Sequence, residues 1–269
     1  YHESVKNNLS HYLTPPFSTS TIYRMKNTAL IIIFFTLSLL PQVLFGSDLP
    51  TDMVQIKAGC FMMGTNDNYI YVDDDDNTRE KPSHKVCLDA FYMDRFEVTQ
   101  SKWDAVMNIN RSVFHKPDQP ITHIDWREAR QYCKKIGRRL PTEAEWEYSA
   151  RAGKQTRFPW GNEVDDDYLW YAANSTREPA NVGQKKPNAW GLYDMVGGVW
   201  EWVGDWFSYD YYENSPTKNP KGPDRQSFRV IRGNSWMSEK QYLRVTSRHR
   251  GLSDPTESYW VGVRCAMSP

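Results

Sequence analysis

The sequence predicts one mixed helix-and-strand domain of short elements joined by long loops, on three observations. Alternating apolar stretches recur at 53–64, 85–98, 199–203, 242–250 and 259–267, the period of half-buried strands. Stretches 125–137 and 142–153 carry helical spacing or helix-start signals. Between these lie aperiodic segments rich in Pro, Asn, Asp and Tyr, chiefly 158–188 and 208–226. Internal repeats are not evident, and no helix is long enough to dominate. Aromatic residues make up 14% of the chain, with 11 Trp and 16 Tyr, so a core of large rings and an aromatic-lined groove are expected.

Residues 1–24 lack a starting Met and any apolar period, and read as a disordered upstream extension that is not native. Met25-Lys26 then leads into the apolar run Ala29 to Leu40, and a small residue stands at Gly46. One basic residue, a short apolar core and a small residue fit a signal peptide over 25–46. The competing reading is an uncleaved membrane anchor, which the run is short to supply. Residues 47–269 are long enough for one domain with a substantial core. Lys plus Arg balance Asp plus Glu, 33 against 33, which excludes a strongly cationic nucleic-acid or membrane binder. After signal cleavage no membrane insertion is expected.

In chain order, 53–64 is an opening strand ending at Gly64, and 85–98 is a second strand region. The run Asp73 to Asp76 between them reads as a solvated acidic loop, since it lacks the spaced oxygens of a calcium loop. Thr99 suits the N-cap of a short helix reaching about Met107. Trp126, Ala129, Cys133 and Ile136 recur at helical spacing after Asp125, and Gly137 ends that run. Thr142 and Glu145 make a capping-box pattern, with Gly153 as the stop. Glu143, Glu145 and Glu147 read as structural acids that complement the helix dipole and meet Arg138, Arg139 or Arg151. Arg244, Arg248 and Arg250 with His249 form a basic cluster with two readings. It is either a clamp for a carboxylate or acidic peptide, or a set of buried ion pairs.

Cys60, Cys87, Cys133 and Cys265 all follow the apolar run. An even count in an oxidising compartment implies two disulfides, with three pairings open. The stretch GLYDMVGGVWEWVGDW (191–206) packs four aromatics, four glycines and three acids into sixteen positions. It reads as a core strand entered through a tight Gly197-Gly198 turn, or as a turn whose carbonyls and Glu201 hold a hard cation. Spacing favours the first.

That stretch resembles the central signature of the sulfatase-modifying-factor, or formylglycine-generating-enzyme, family. AFYMDRFEVTQSKW (90–103), GRRLPTEAEWEYSARAG (137–153), RVIRGNSW (229–236) and GVRC (262–265) match it in the family's order. The resemblance covers about Met53 to Met267. It implies an α+β domain over 47–269, the formylglycine-generating-enzyme type of the C-type-lectin-like fold. It also implies a bridge from Cys133 to Cys265, which leaves Cys60 for Cys87. A calcium ion is implied near Asn174 and Ser175, and a second near Val199 and Glu201. Gly198, however, stands where the family has an asparagine oxygen.

The family's oxygen-dependent conversion of a sulfatase cysteine to formylglycine needs two thiolates that bind copper(I). Ser238 and Leu243 stand in those places here, and neither is a soft ligand. Copper is therefore not expected. The histidines lack ligand spacing, the iron-binding helical bundle of sulfoxide-synthase relatives is missing, and no GxSxG is present. Two functions of different class follow from the resemblance. One is an exported, periplasmic or extracellular non-oxidase that binds a peptide, protein or small ligand, as a recognition or maturation accessory. Its groove candidates are Ser235, Trp236, Ser238, Arg244 and Arg248, and its expected partner is an exported protein or peptide, a sulfatase-like one among the candidates. The other is an oxidative modifier of exported proteins with a metal site elsewhere. Carbohydrate binding has only the fold class and the aromatics behind it.

Overall fold

The computed structural model describes residues 51–67, 80–251 and 259–269. The expected upstream extension, the signal segment and the run Asp73 to Asp76 fall outside the described residues. Among the described residues, no helix is long and apolar enough to cross a membrane.

Among the described residues, nine short strands and three α-helices make up the α+β domain. The strands are β1 Met53–Ile56, β2 Gly59–Met63, β3 His84–Leu88, β4 Phe91–Asp94, β5 Trp200–Trp206, β6 Arg229–Arg232, β7 Arg248–Gly251, β8 Val261–Gly262 and β9 Ala266–Met267. The helices are α1 Gln100–Asp104, α2 Trp126–Lys135 and α3 Glu143–Arg151. They build three sheets, ordered β1-β4-β9, β2-β3 and β7-β6-β5-β8. All strand pairs are antiparallel except β5 with β8.

The opening stretch is not one strand. It breaks at Lys57-Ala58, and its halves join different sheets. The reason is parity. Its buried residues are Met53, Ile56, Phe61 and Met63, and no single pleat puts those on one face. The 85–98 region divides likewise into β3 and β4, and the closing stretch into β8 and β9. In the last case Val263 to Cys265 hands the chain from the β5 sheet to the β4 sheet. Within 242–250 only the end is strand, because Lys240–Tyr242 forms a 3-10 turn.

The helices start where the sequence places them. Thr99 accepts from the Lys102 N–H, and Asp125 with Glu128, and Thr142 with Glu145, form reciprocal capping boxes. Helix α1 stops at Asp104, short of Met107. Helix α3 ends at Arg151, two residues before Gly153, with Ala152 left-handed at φ 46° and Gly153 at φ 83°.

Every residue of α3 is buried. Its acids are structural, as expected, but they lie in the core rather than along a solvated first turn. Glu143 pairs with Arg232 and Arg248, Glu147 with Arg151 and Arg232, and Glu145 with the half-exposed Arg139. Arg138 turns instead to Asp52 and Asp94. Trp146 of α3 lies in one apolar cluster with Phe91, Phe158 and Leu243. A second cluster gathers Trp103, Tyr132, Trp202 and the bonded pair Cys133 and Cys265. Cys60 bonds to Cys87 at facing positions of β2 and β3. The chain's four cysteines are thus all in disulfides.

Candidate functional site

The chain leaves β6 through Gly233 and Asn234, both at positive φ, 104° and 64°. A side chain at Gly233 would press on the Trp146 ring at 3.2 Å, so this turn is fitted onto α3. Two backbone bonds lock it to the glycine pair ahead of β5: Gly197 N–H donates to Gly233 O at 2.8 Å, and Trp236 N–H to Gly198 O at 2.7 Å. The Asn234 amide reaches Tyr242 O and Ser247 Oγ, each at 3.2 Å.

Ser235 and Ser238 close this turn from inside. The Ser235 N–H donates to Ser238 Oγ at 3.0 Å, and the Met237 N–H to Ser235 Oγ at 3.3 Å. The Ser238 carbonyl accepts from Ala172 N–H at 3.1 Å, and the Trp236 carbonyl from the Ser175 hydroxyl at 3.0 Å. Residues 171–175 and 235–238 are therefore one construction. The Asn174 amide closes its own loop, accepting from Tyr171 N–H at 2.9 Å and donating to Leu169 O at 3.0 Å.

A groove of about 610 Å³ opens beside this construction, lined by Val113, Phe114, Ala172, Ser175, Arg177, Trp236, Met237 and Tyr259. Val113, Met237 and Tyr259 are exposed apolar residues on its wall, and Phe114 meets Trp236 edge to face at 6.3 Å. Arg177 supplies its cation and has no ion pair among the described residues. Such a surface suits an apolar ligand with a polar or anionic end. Val113, Phe114, Arg177, Met237 and Tyr259 were not expected from the sequence. Their segments have no period, and they meet only once four separate segments are folded together.

Of the groove candidates, Trp236 lines the groove, and Ser235 and Ser238 hold its floor. Arg244 and Arg248 do not belong to it. Arg244 forks onto the buried Glu80 and lines a separate polar cleft of about 220 Å³ with Arg151 and Arg157. The Arg248 guanidinium is fully buried against Glu143 and Ser208 O. Of the two readings of this basic cluster, ion pairing holds for both residues, because each meets a buried carboxylate that would otherwise stay uncompensated.

Of the calcium candidates, Glu201 is held by protein donors. Both Glu201 oxygens accept from Arg264, at 2.8 to 3.0 Å, and one also accepts from Trp146 Nε1 at 2.7 Å. Val199 donates its N–H to Glu97 at 2.8 Å. Burial, together with Asp194 and Glu201, pushes the Glu97 carboxyl up, and burial pushes Asp194 up to about 6. Both Glu201 oxygens are thus engaged by protein donors, whereas the Ser175 hydroxyl gives its proton to Trp236 O and Asn174 Oδ1 accepts a single N–H. No group of three metal-binding acids, histidines or cysteines forms among the described residues. Leu243, which the resemblance puts in the place of the second thiol, is fully buried in the core.

The model of the sulfatase-modifying factor enzyme 1-like domain matches residues 45–269. The chain is 33% identical to the formylglycine-generating enzyme of Bos taurus, over 81% of this chain and 75% of that one. It belongs to the sulfatase-modifying-factor family. A second member of the family, the inactive C-alpha-formylglycine-generating enzyme 2 of Mus musculus, is 34% identical over 64% of this chain and 56% of its own. Among solved structures, Treponema denticola variable protein 1 superposes with a TM-score of 0.70 at 27% identity, covering 81% of this chain and 95% of that one. The formylglycine-generating-enzyme type of C-type-lectin-like fold expected from the motifs is thus the fold observed.

Proposed function

We propose that this member of the sulfatase-modifying-factor family is an exported, non-oxidase recognition or maturation accessory. It binds a peptide or protein segment through the groove at Trp236 and Met237. The observation that carries this reading is the state of the turn beside the groove. Ser238 uses its hydroxyl to hold the Ser235 N–H, Leu243 is core, and all four cysteines are bonded elsewhere. No thiolate pair stands next to the groove, so copper does not fit there. The open apolar wall with one unpaired arginine supports an apolar residue flanked by an anionic group as the bound feature. Two disulfides support an oxidising compartment, hence export through segment 25–46.

The competing reading is that the protein oxidises exported proteins such as sulfatases, and its similarity to the bovine enzyme favours it. One experiment separates the two. The protein is mixed with a Cys-x-Pro-x-Arg peptide, copper(I), oxygen and a reductant, and peptide mass and peptide binding are followed together. Unchanged peptide mass is expected, with any binding lost in Met237→Asp. Conversion of the cysteine to an aldehyde would overturn the proposal. If the peptide neither binds nor changes, the groove serves another sequence, and Met237→Asp is the tool for finding it among exported partners.

A further inference from the structure

A second surface, sharing no residue with that groove, is cationic. It is a hollow of about 550 Å³ between α2 and the β5–β6 pair, lined by Trp126, Arg130, Lys134, Arg138, Arg139, Leu140, Gly204 and Arg229. Five of the eight are basic and none is acidic. Arg138 and Arg139 are neutralised by Asp52, Asp94 and Glu145. Arg130, Lys134 and Arg229 have no carboxylate partner among the described residues. The excess is three charges, in a chain whose overall charge is zero.

Arg229 is held for presentation rather than for pairing. Its guanidinium lies between two indoles, 3.6 Å from the Trp126 centroid and 3.3 Å from that of Trp206. Nη1 donates to Gly204 O at 2.7 Å. Rings above and below leave only the edge of the fork free to meet a planar acceptor such as a carboxylate. Burial pushes this guanidinium down to about 10, with Arg130 adding to the push against the opposing pull of Asp205. An anion beside it would relieve that cost. Arg130 covers Trp126 as well, at 5.7 Å. With Arg229 already stacked on it and Arg130 close by, Trp126 is a poor platform for a stacking base, which disfavours single-stranded nucleic acid.

Arg130 and Lys134 stand one helical turn apart on the exposed face of α2, about 6 Å along its axis. Arg138, past the helix end, is already paired with Asp52 and Asp94 and takes no part in this row. Alternate side chains of an extended peptide recur at about 6.6–6.8 Å on one face, so carboxylates at every second residue run in step with this row. Three unpaired cations in a short hollow match two or three carboxylates better than a long polyanion.

We infer that this hollow is a docking site for a short extended acidic segment of a partner protein, with carboxylates at alternate positions. This goes beyond the proposed role of the Trp236 groove and does not depend on it. The test is fluorescence anisotropy of the full chain with a dye-labelled, end-blocked Glu-Ser-Glu-Ser-Glu peptide. Its Gln-Ser-Gln-Ser-Gln counterpart, a sulfated hexasaccharide and an oligothymidylate of similar length serve as further probes. The glutamate peptide is expected to bind, the glutamine peptide not, and affinity to fall as ionic strength passes about 0.1 M. The double variant Arg130→Glu/Lys134→Glu alters two exposed side chains, and circular dichroism checks that it is folded. It is expected to weaken binding on the order of tenfold. Equal binding of both peptides, or of the glutamate peptide by both proteins, would overturn the inference. So would binding of the saccharide or oligothymidylate without the peptide.

Discussion

Glu201 sits at the point where a metal reading and a structural reading of the same carboxylate diverge, and its partners choose between them. Its oxygens are engaged by Arg264, whose remaining N–H groups reach the carbonyls of Asp94, Arg95 and Tyr193. Removing one charge from such a fully buried pair leaves the other uncompensated, at a cost of about 3–5 kcal/mol. Glu201→Gln is therefore expected to lower unfolding free energy by that order, while a chelator or added calcium leaves the wild-type melting temperature unchanged. A calcium-dependent rise in melting temperature that is lost in Glu201→Gln would restore the metal reading. Asp205 offers the pH test. It is buried, accepts the Glu143 N–H at 2.8 Å, and is pushed well up by burial and by the nearby Glu143 charge. The folded state then keeps a proton that the unfolded state releases above about pH 4. Stability consequently falls as pH rises through that window, by at most about 1.4 kcal/mol per unit. Asn keeps an acceptor for the Glu143 N–H and carries no charge. Denaturation curves for Asp205→Asn should lose part of the decline between about pH 5 and about pH 7. A slope equal to that of the wild type would mean that Asp205 is ionised in the fold.

At the level of elements, the helices were legible in the sequence and the strands only partly. A helix start is written within four residues. Asp125 and Thr142 mark the two starts as expected, and the Thr142–Glu145 box closes as read, while the matching Glu128 of the Asp125 box was there to be read and was not. A strand's partner lies far along the chain, so a period-2 pattern marks where a strand can form but not which sheet takes it. That is why 53–64, 85–98 and 259–267 each divide between sheets. The change of parity between Met53, Ile56 and Phe61 was readable, whereas the crossover at Val263 to Cys265 depends on Arg264 finding Glu201. Helix α3 shows the complementary limit. Its acids look like dipole partners on a surface helix, and only the fold brings Arg232 and Arg248 from β6 and β7 to meet them. Because α3 carries these pairs, its first turn must be held firmly. Thr142→Ala removes the acceptor of the Glu145 N–H and is expected to cost about 1 kcal/mol. Thr142→Ser should restore most of it, as measured by chemical denaturation. Equal loss in both variants would point to packing of the threonine methyl instead of the cap.

Across the whole molecule, the groove and the basic hollow show why a family was easier to read than a site. The family rests on contiguous motifs, each a strand, turn or helix whose residues are neighbours in sequence. The groove draws Val113, Ala172, Trp236 and Tyr259 from four separate segments, and the hollow joins α2 to Arg229 across the sheet. Neither pattern exists before folding. What holds the distant segments in place can be ranked by chain length. Cys133–Cys265 spans 132 residues and ties α2 to the closing segment, whereas Cys60–Cys87 spans 27 and joins two strands already paired. Loop-closure entropy assigns about 5 kcal/mol to the first and about 3.5 kcal/mol to the second. The first also fixes the β8–β9 crossover, which pairs β8 with β5 and β9 with β4. Cys133→Ala/Cys265→Ala is therefore expected to destabilise more than Cys60→Ala/Cys87→Ala. Unlike the second pair of substitutions, it should also loosen the β8–β9 closure on which Tyr259 depends to reach the groove wall. Hydrogen exchange would report this as protection lost at Val261, Gly262 and Ala266 in the first variant and retained in the second. If both variants lost stability equally and kept that protection, the strand pairings alone would close the domain, and the long disulfide would add only a constraint on the unfolded chain.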